Sequence, residues 1–139
     1  MVGHIDPTRE KFGAFRALPE EGPVHMLNLI RLRDRAEYAD GREASGAQAY
    51  AAYGRESGEV FRGVGGSIAW TGDFRLMLIG PDSERWDICF IAEYPSAAAF
   101  VAMVKDRQYQ KAVIHRQAAV ADSRLIRMAP KAVGAGFGE

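Results

Sequence analysis

Pro23-Val24-His25-Met26-Leu27-Asn28-Leu29-Ile30-Arg31-Leu32 is the run whose reading decides the architecture. It is too short and too apolar for a surface helix and reads as a buried strand. Both of its faces are apolar, with Val24, Met26, Ile30 and Leu32 on one and Leu27 and Leu29 on the other. A second run, Trp86 to Tyr94, repeats the pattern with Ile88 and Phe90 against Cys89 and Ile91. Strands of this kind need cover on both sides, so the rest of the chain must be read for what it can supply.

Working outward, a short helix is predicted over Thr8 to Leu18, with Thr8 as its cap, Phe12 and Phe15 on one face and Pro19 as its stop. Arg33 to Ser45 is charged around Gly41 and reads as a solvated loop. A helix follows from Gly46 to about Arg62, with Ala47, Tyr50, Ala51, Gly54, Gly58 and Phe61 along one stripe. Ser67 to Ile79, bent at Gly72-Asp73, and Trp86 to Tyr94 read as a hairpin. Ser96 caps a helical region that runs to Ala121 with a break near Lys105-Asp106, and Ser123 to Met128 reads as the last strand. Without the first helix the order is strand, helix, strand, strand, helix, strand: an α+β, ferredoxin-like (split βαβ) domain with an extra short N-terminal helix. The expected division is an N-terminal extension at 1–22, the α+β domain at 23–130 and a glycine-rich tail at 131–139. Two helices cover one face of such a sheet. The cheapest cover for the other is a second copy packed sheet to sheet, so a two-fold homodimer is expected.

Composition narrows the function classes. In 139 residues, 18 Lys+Arg balance 18 Asp+Glu, so no global field favours nucleic acid or an anionic membrane, and neither is an expected partner. No apolar run approaches the ~20 residues of a membrane span, and the opening Met1 to Pro7 lacks a secretory pattern. With Cys89 as its one cysteine, the chain fits a reducing compartment, and a cytoplasmic protein is expected. Locally, seven basic residues between Lys105 and Lys131 face only Asp106 and Asp122; a solvated face is the default, and attraction of an anionic substrate is the alternative. Gly63-Val64-Gly65-Gly66 precedes a strand rather than following one, which excludes a dinucleotide-binding loop.

Several features together resemble the DUF1330 family. They are Tyr50 and Tyr53 leading to Gly65-Gly66, then Trp86 opening a strand that ends in Glu93-Tyr94-Pro95-Ser96, then Tyr109 followed by Arg116 and a final strand. The resemblance spans roughly Val24 to Met128 and implies the dimeric α+β barrel architecture, without an assigned activity. Relatives on that architecture include cofactor-free monooxygenases, lactone isomerases and haem proteins, so the fold does not choose a chemistry. One departure stands out: Met103 and Val104 occupy positions where similar proteins often carry an aromatic pair.

Candidate chemistry follows from strand parity. His25 and Arg31 share one face of the first strand, and Asp87 and Glu93 share one face of the third. A histidine beside a carboxylate suits acid–base work, and an arginine can clamp a substrate anion. The expected catalytic pair is therefore His25, as acid or base, with Glu93 orienting it and Arg31 holding the anion. The commoner fate of such a pair is to satisfy itself at an interface. Asn28, the odd residue on an apolar face, either orders a ligand or ties down a loop, and Tyr50 with Tyr53 can place hydroxyls at a pocket mouth. His115 is the one helical histidine, yet His4, His25 and His115 carry no metal-ligand spacing, so no metal and no cofactor are expected. The expected function is binding of a small acidic or aromatic metabolite by a homodimer. It extends either to cofactor-independent isomerase- or monooxygenase-like catalysis or, alternatively, to a non-catalytic ligand- or protein-binding module.

Overall fold

The computed structural model describes residues 3–138. Four strands, β1 (Val24–Leu32), β2 (Ser67–Gly72), β3 (Ile88–Tyr94) and β4 (Val120–Met128), form one antiparallel sheet in the order β2-β3-β1-β4. The helices are α1 (Arg9–Ala17), α2 (Gly46–Gly63), α3 (Ala97–Lys105) and α4 (Arg107–Ala119). This is the ferredoxin-like α+β fold with the extra N-terminal helix. The two doubly apolar strands, β1 and β3, are the inner pair of the sheet, each with a neighbour on both edges.

Local chemistry sets the element ends. Thr8 and Ser96 cap α1 and α3 as the sequence suggests, each hydroxyl accepting a backbone N–H in the first turn. Ser45 and Gln48 form a reciprocal capping box at the start of α2. Asp106 ends α3 and caps α4, which is the break near Lys105-Asp106. Val24, Met26 and Ile30 turn toward the helices and are buried with Ala92, Tyr94 and Phe100 in one cluster and Ala49, Ala119 and Val120 in another.

Two strand boundaries differ from the sequence reading. β2 ends at Gly72, and 73–79 holds neither helix nor strand. A register shift between Ile68 and Trp70 loosens this edge strand, and the Trp70 ring folds over Gly72. A Cβ at Gly72 would lie 2.6 Å from that ring, so the chain turns away at this point. Leu76, Leu78 and Ile79 are left exposed. β3 starts at Ile88 rather than Trp86; Trp86 is buried instead beneath the guanidinium of Arg124, 5.2 Å from its ring. β4 starts earlier than read, at Val120, directly after α4.

The other sheet face carries Leu27, Leu29, Ile91, Trp70 and Ile126 in register. Among the described residues no element covers it fully, and Trp70 is 51% and Ile126 44% exposed. Among the described residues no helix is long and apolar enough to cross a membrane. From Ala129 to Gly138 the chain has no helix or strand.

Candidate functional site

The sheet divides the residues singled out by sequence into two groups. His25, Arg31 and Glu93 stand on the open face, whereas Asn28, Tyr50 and Tyr53 line a cleft on the helix side.

On the open face His25 and Glu93 are cross-strand partners, and His25 Nε2 lies 2.7 Å from Glu93 Oε1. Arg31 is not with them. Six residues along β1 place it about 20 Å away, where its guanidinium donates to the Ser83 carbonyl at 2.8 Å and lies 3.6 Å from Asp122. Asp87 is also engaged, accepting the Leu32 N–H at 2.7 Å. The polar strand faces thus yield one histidine–carboxylate pair, with the arginine bound to the opposite end of the sheet.

The helix-side cleft encloses about 1680 Å³. Its floor is sheet, with Met26, Phe90 and Ala92; α2 and α4 form a wall, and α1 leans over the opening with Phe12 and Phe15. The N-terminal segment is tied down at both of its ends. The His4 N–H donates to Asp122 and the Ser123 hydroxyl to the His4 carbonyl, while Arg127 donates to the Phe15 carbonyl and the Ala97 N–H to Glu20. Between these ties α1 buries no residue, so it spans the cleft rather than filling it.

The polar groups gather where the N-terminal segment meets α4. The Tyr53 and Tyr109 hydroxyls are 2.8 Å apart, and the rings of Tyr50 and Tyr53 are 5.4 Å apart. Burial pushes the Tyr50 phenol up to about 12 against the counter-pull of the Arg116 charge. Burial also raises Tyr53 and Tyr109, so the three phenols are neutral donors at pH 7. The Asn28 Nδ2 donates to the Met26 carbonyl at 2.9 Å, which fixes the amide's orientation and leaves its oxygen without a donor among the described residues. Asn28 therefore ties to its own strand and not to a loop.

Sequence reading did not place Arg116 and Tyr109 in this site. Tyr109, Ala112, Arg116 and Ala119 form one buried stripe of α4, and an arginine on such a stripe was the available signal. Arg116 is 8% exposed; it donates to the Ile5 carbonyl and, at 3.3 Å, to the Ser123 hydroxyl. Its nearest carboxylate, Asp6, is 3.9 Å away. Met103 and Val104 also line the cleft, and the Tyr94 hydroxyl donates to the Met103 sulfur at 3.7 Å.

His115 belongs to neither group. Its Nδ1 lies 2.6 Å from the Tyr38 hydroxyl and its Nε2 2.8 Å from Glu56, so both ring nitrogens join the 33–45 loop to α2 and neither is presented to a haem. Among the described residues no cluster of three or more His, Cys, Asp or Glu is placed to hold a metal ion. Cys89 is buried mid-strand, and burial raises its thiol, the opposite of what a nucleophile needs.

The fold and the cleft define a ferredoxin-like α+β protein with a roofed cavity between its sheet and helices. The chain belongs to the DUF1330 family, a domain of unknown function, whose profile matches residues 41–129. It is similar to the crystal structure of a methylated RPA0582 protein, at 64% identity and a TM-score of 0.94, over 97% of this chain and 100% of that one. It is likewise similar to RPA0582 from Rhodopseudomonas palustris, a protein of unknown function, at 63% identity and a TM-score of 0.91, over 95% and 100% of the two chains. No curated protein matches the chain.

Proposed function

We propose that this protein is a homodimer that binds a small acidic or aromatic organic molecule in its helix-side cleft. The observation that carries the reading is the cleft itself: about 1680 Å³ under an aromatic roof, with a few convergent polar groups at one end. Ligand sites have this make-up, apolar walls with a small number of orienting donors and acceptors. The charge around it points the same way. Lys11, Arg62, Arg116, Arg124 and Arg127 line the cleft against one carboxylate, Asp6, and of these Arg124 is already paired with Asp122 and Glu84. In a chain of zero net charge that imbalance favours an anion.

The dimer rests on the open face, whose apolar row would be covered by its own copy about a two-fold axis. Catalysis by His25 and Glu93 is the second reading, favoured by their 2.7 Å contact. It loses its anion clamp, since Arg31 is held at Ser83 and Asp122, and it would act on the face opposite the cleft. Binding is therefore the reading adopted, with His25 and Glu93 as interface residues.

The test is a thermal-unfolding screen against organic acids, phenols and lactones, with mass by light scattering. A ligand at one hundred times its Kd adds about 2.7 kcal/mol, and the dimer mass is expected. A monomer that no compound stabilises refutes the proposal.

A further inference from the structure

The cleft has two chemically different ends. At one, Tyr50 and Ile5 pack against the same Ile30–Ala49–Ala119–Val120 cluster, the Ile5 carbonyl accepts from Arg116, and the Tyr50 ring lies 5.4 Å from that of Tyr53, whose hydroxyl pairs with Tyr109. At the other, the Phe15 ring packs 5.1 Å from that of Phe100, and Phe12 stacks on Phe15 at 6.2 Å.

The first end is short of negative charge. Arg116 is more than nine-tenths buried, and two of a guanidinium's five N–H donors are taken, by a carbonyl and a hydroxyl that carry no charge. The only carboxylate in reach among the described residues is Asp6, 3.9 Å away and about half exposed. A buried cation so weakly paired is costly unless something neutralises it. The Tyr50 hydroxyl has no partner among the described residues, and one phenolic hydrogen of the Tyr53–Tyr109 pair is left over once their mutual bond is made.

Resting on the binding reading above, we infer that the ligand is a monocarboxylate with an aryl or alkyl body, its carboxylate seated on Arg116 and the Tyr50 hydroxyl and its body along Phe12, Phe15 and Phe100. One guanidinium with its remaining donors in a plane suits the two oxygens of a carboxylate. A dianionic phosphate would need a second free cation at this end. Arg127, at the far end, is already stacked 4.8 Å over Phe15 and donates to its carbonyl.

The experiment is calorimetric titration of wild type, Tyr50→Phe and Arg116→Lys with phenylbutanoate and decanoate, and with the neutral phenylbutanamide and decanol. The acids should bind at least tenfold more tightly than their neutral counterparts. Tyr50→Phe should weaken the acids about 5-fold without lowering the melting temperature of the ligand-free protein, since its hydroxyl bonds to nothing in the chain. Arg116→Lys, which keeps the charge but loses the fork, should weaken them further. If Arg116→Lys does not fold, Tyr50→Phe alone decides. Equal binding of acids and neutral analogues, or unchanged binding by Tyr50→Phe, overturns the carboxylate anchor while leaving the cleft a binding site. Failure of all four probes to bind the folded protein overturns both.

Discussion

Removing the Tyr53 hydroxyl tests whether the polar end of the cleft is an organised network. The Tyr53 and Tyr109 oxygens are 2.8 Å apart, and burial holds both phenols neutral. Tyr53→Phe strands the Tyr109 hydroxyl, and Tyr109→Phe strands that of Tyr53. Leaving one partner unpaired in a desolvated site costs about 1–3 kcal/mol, and the lower end applies because the cleft admits water. Each single variant should lose about 1 kcal/mol, or about 3 °C for a domain of this size. The double variant strands nothing, so it should also lose about 1 kcal/mol rather than the sum. The assay is denaturant unfolding of the four proteins at pH 7, without ligand and at one protomer concentration, because the proposed dimerisation would add a mass-action term. A double variant whose loss equals the sum of the singles refutes the network.

Leu27→Arg places a charge at the centre of the open face, between Ile91 and Ile126, and should shift the mass by light scattering from dimer to monomer while ligand binding in the cleft survives. A stable dimer in that variant would mean the interface lies elsewhere. Asp122 gives a pH prediction. Burial pushes its carboxyl up, but the His4 N–H, the Arg124 guanidinium and the Ser123 N–H together outweigh this, and it ends below the ordinary value. A carboxyl lowered on folding adds stability above its unfolded value of about 4, and that stability is lost as the pH falls through the lower folded value. Acidification from about pH 6 to about pH 3 should therefore cost wild type more than Asp122→Asn, read as the difference in denaturation midpoints. Equal slopes would show that the carboxylate is not what holds the N-terminal segment.

How far the structure was legible depended on whether a feature is local. The central strand could be read because Val24 to Leu32 is apolar at both parities, and the helix starts because Thr8 and Ser96 are side chains whose capping role is local chemistry. The overreach of β2 to Ile79 has a clear cause: Phe74 to Ile79 has strand composition but no strand beside it, and pairing is not a property of one segment. The site divides in the same way. Tyr50 and Tyr53, three apart on a helix, could be placed together, and His25 could be matched to Glu93 once β1 and β3 were taken as neighbours. That Asn28 lies behind the sheet from His25 follows from parity alone. Arg116 was signalled only by its place on the buried stripe of α4, because its tie to the Ile5 carbonyl spans 111 residues of chain.

That long-range tie has a consequence for how the protein is made. The N-terminal segment that roofs the cleft is held by Arg116, Asp122 and Ser123, which lie 111 to 119 residues further along the chain. Contacts of such sequence separation close late, because the closure entropy of a long loop must be overcome first. On a ribosome the N-terminal segment must wait, unroofed, until β4 has emerged. The aromatic face of α1 is therefore open to other chains until β4 has emerged, and only then is the cleft roofed.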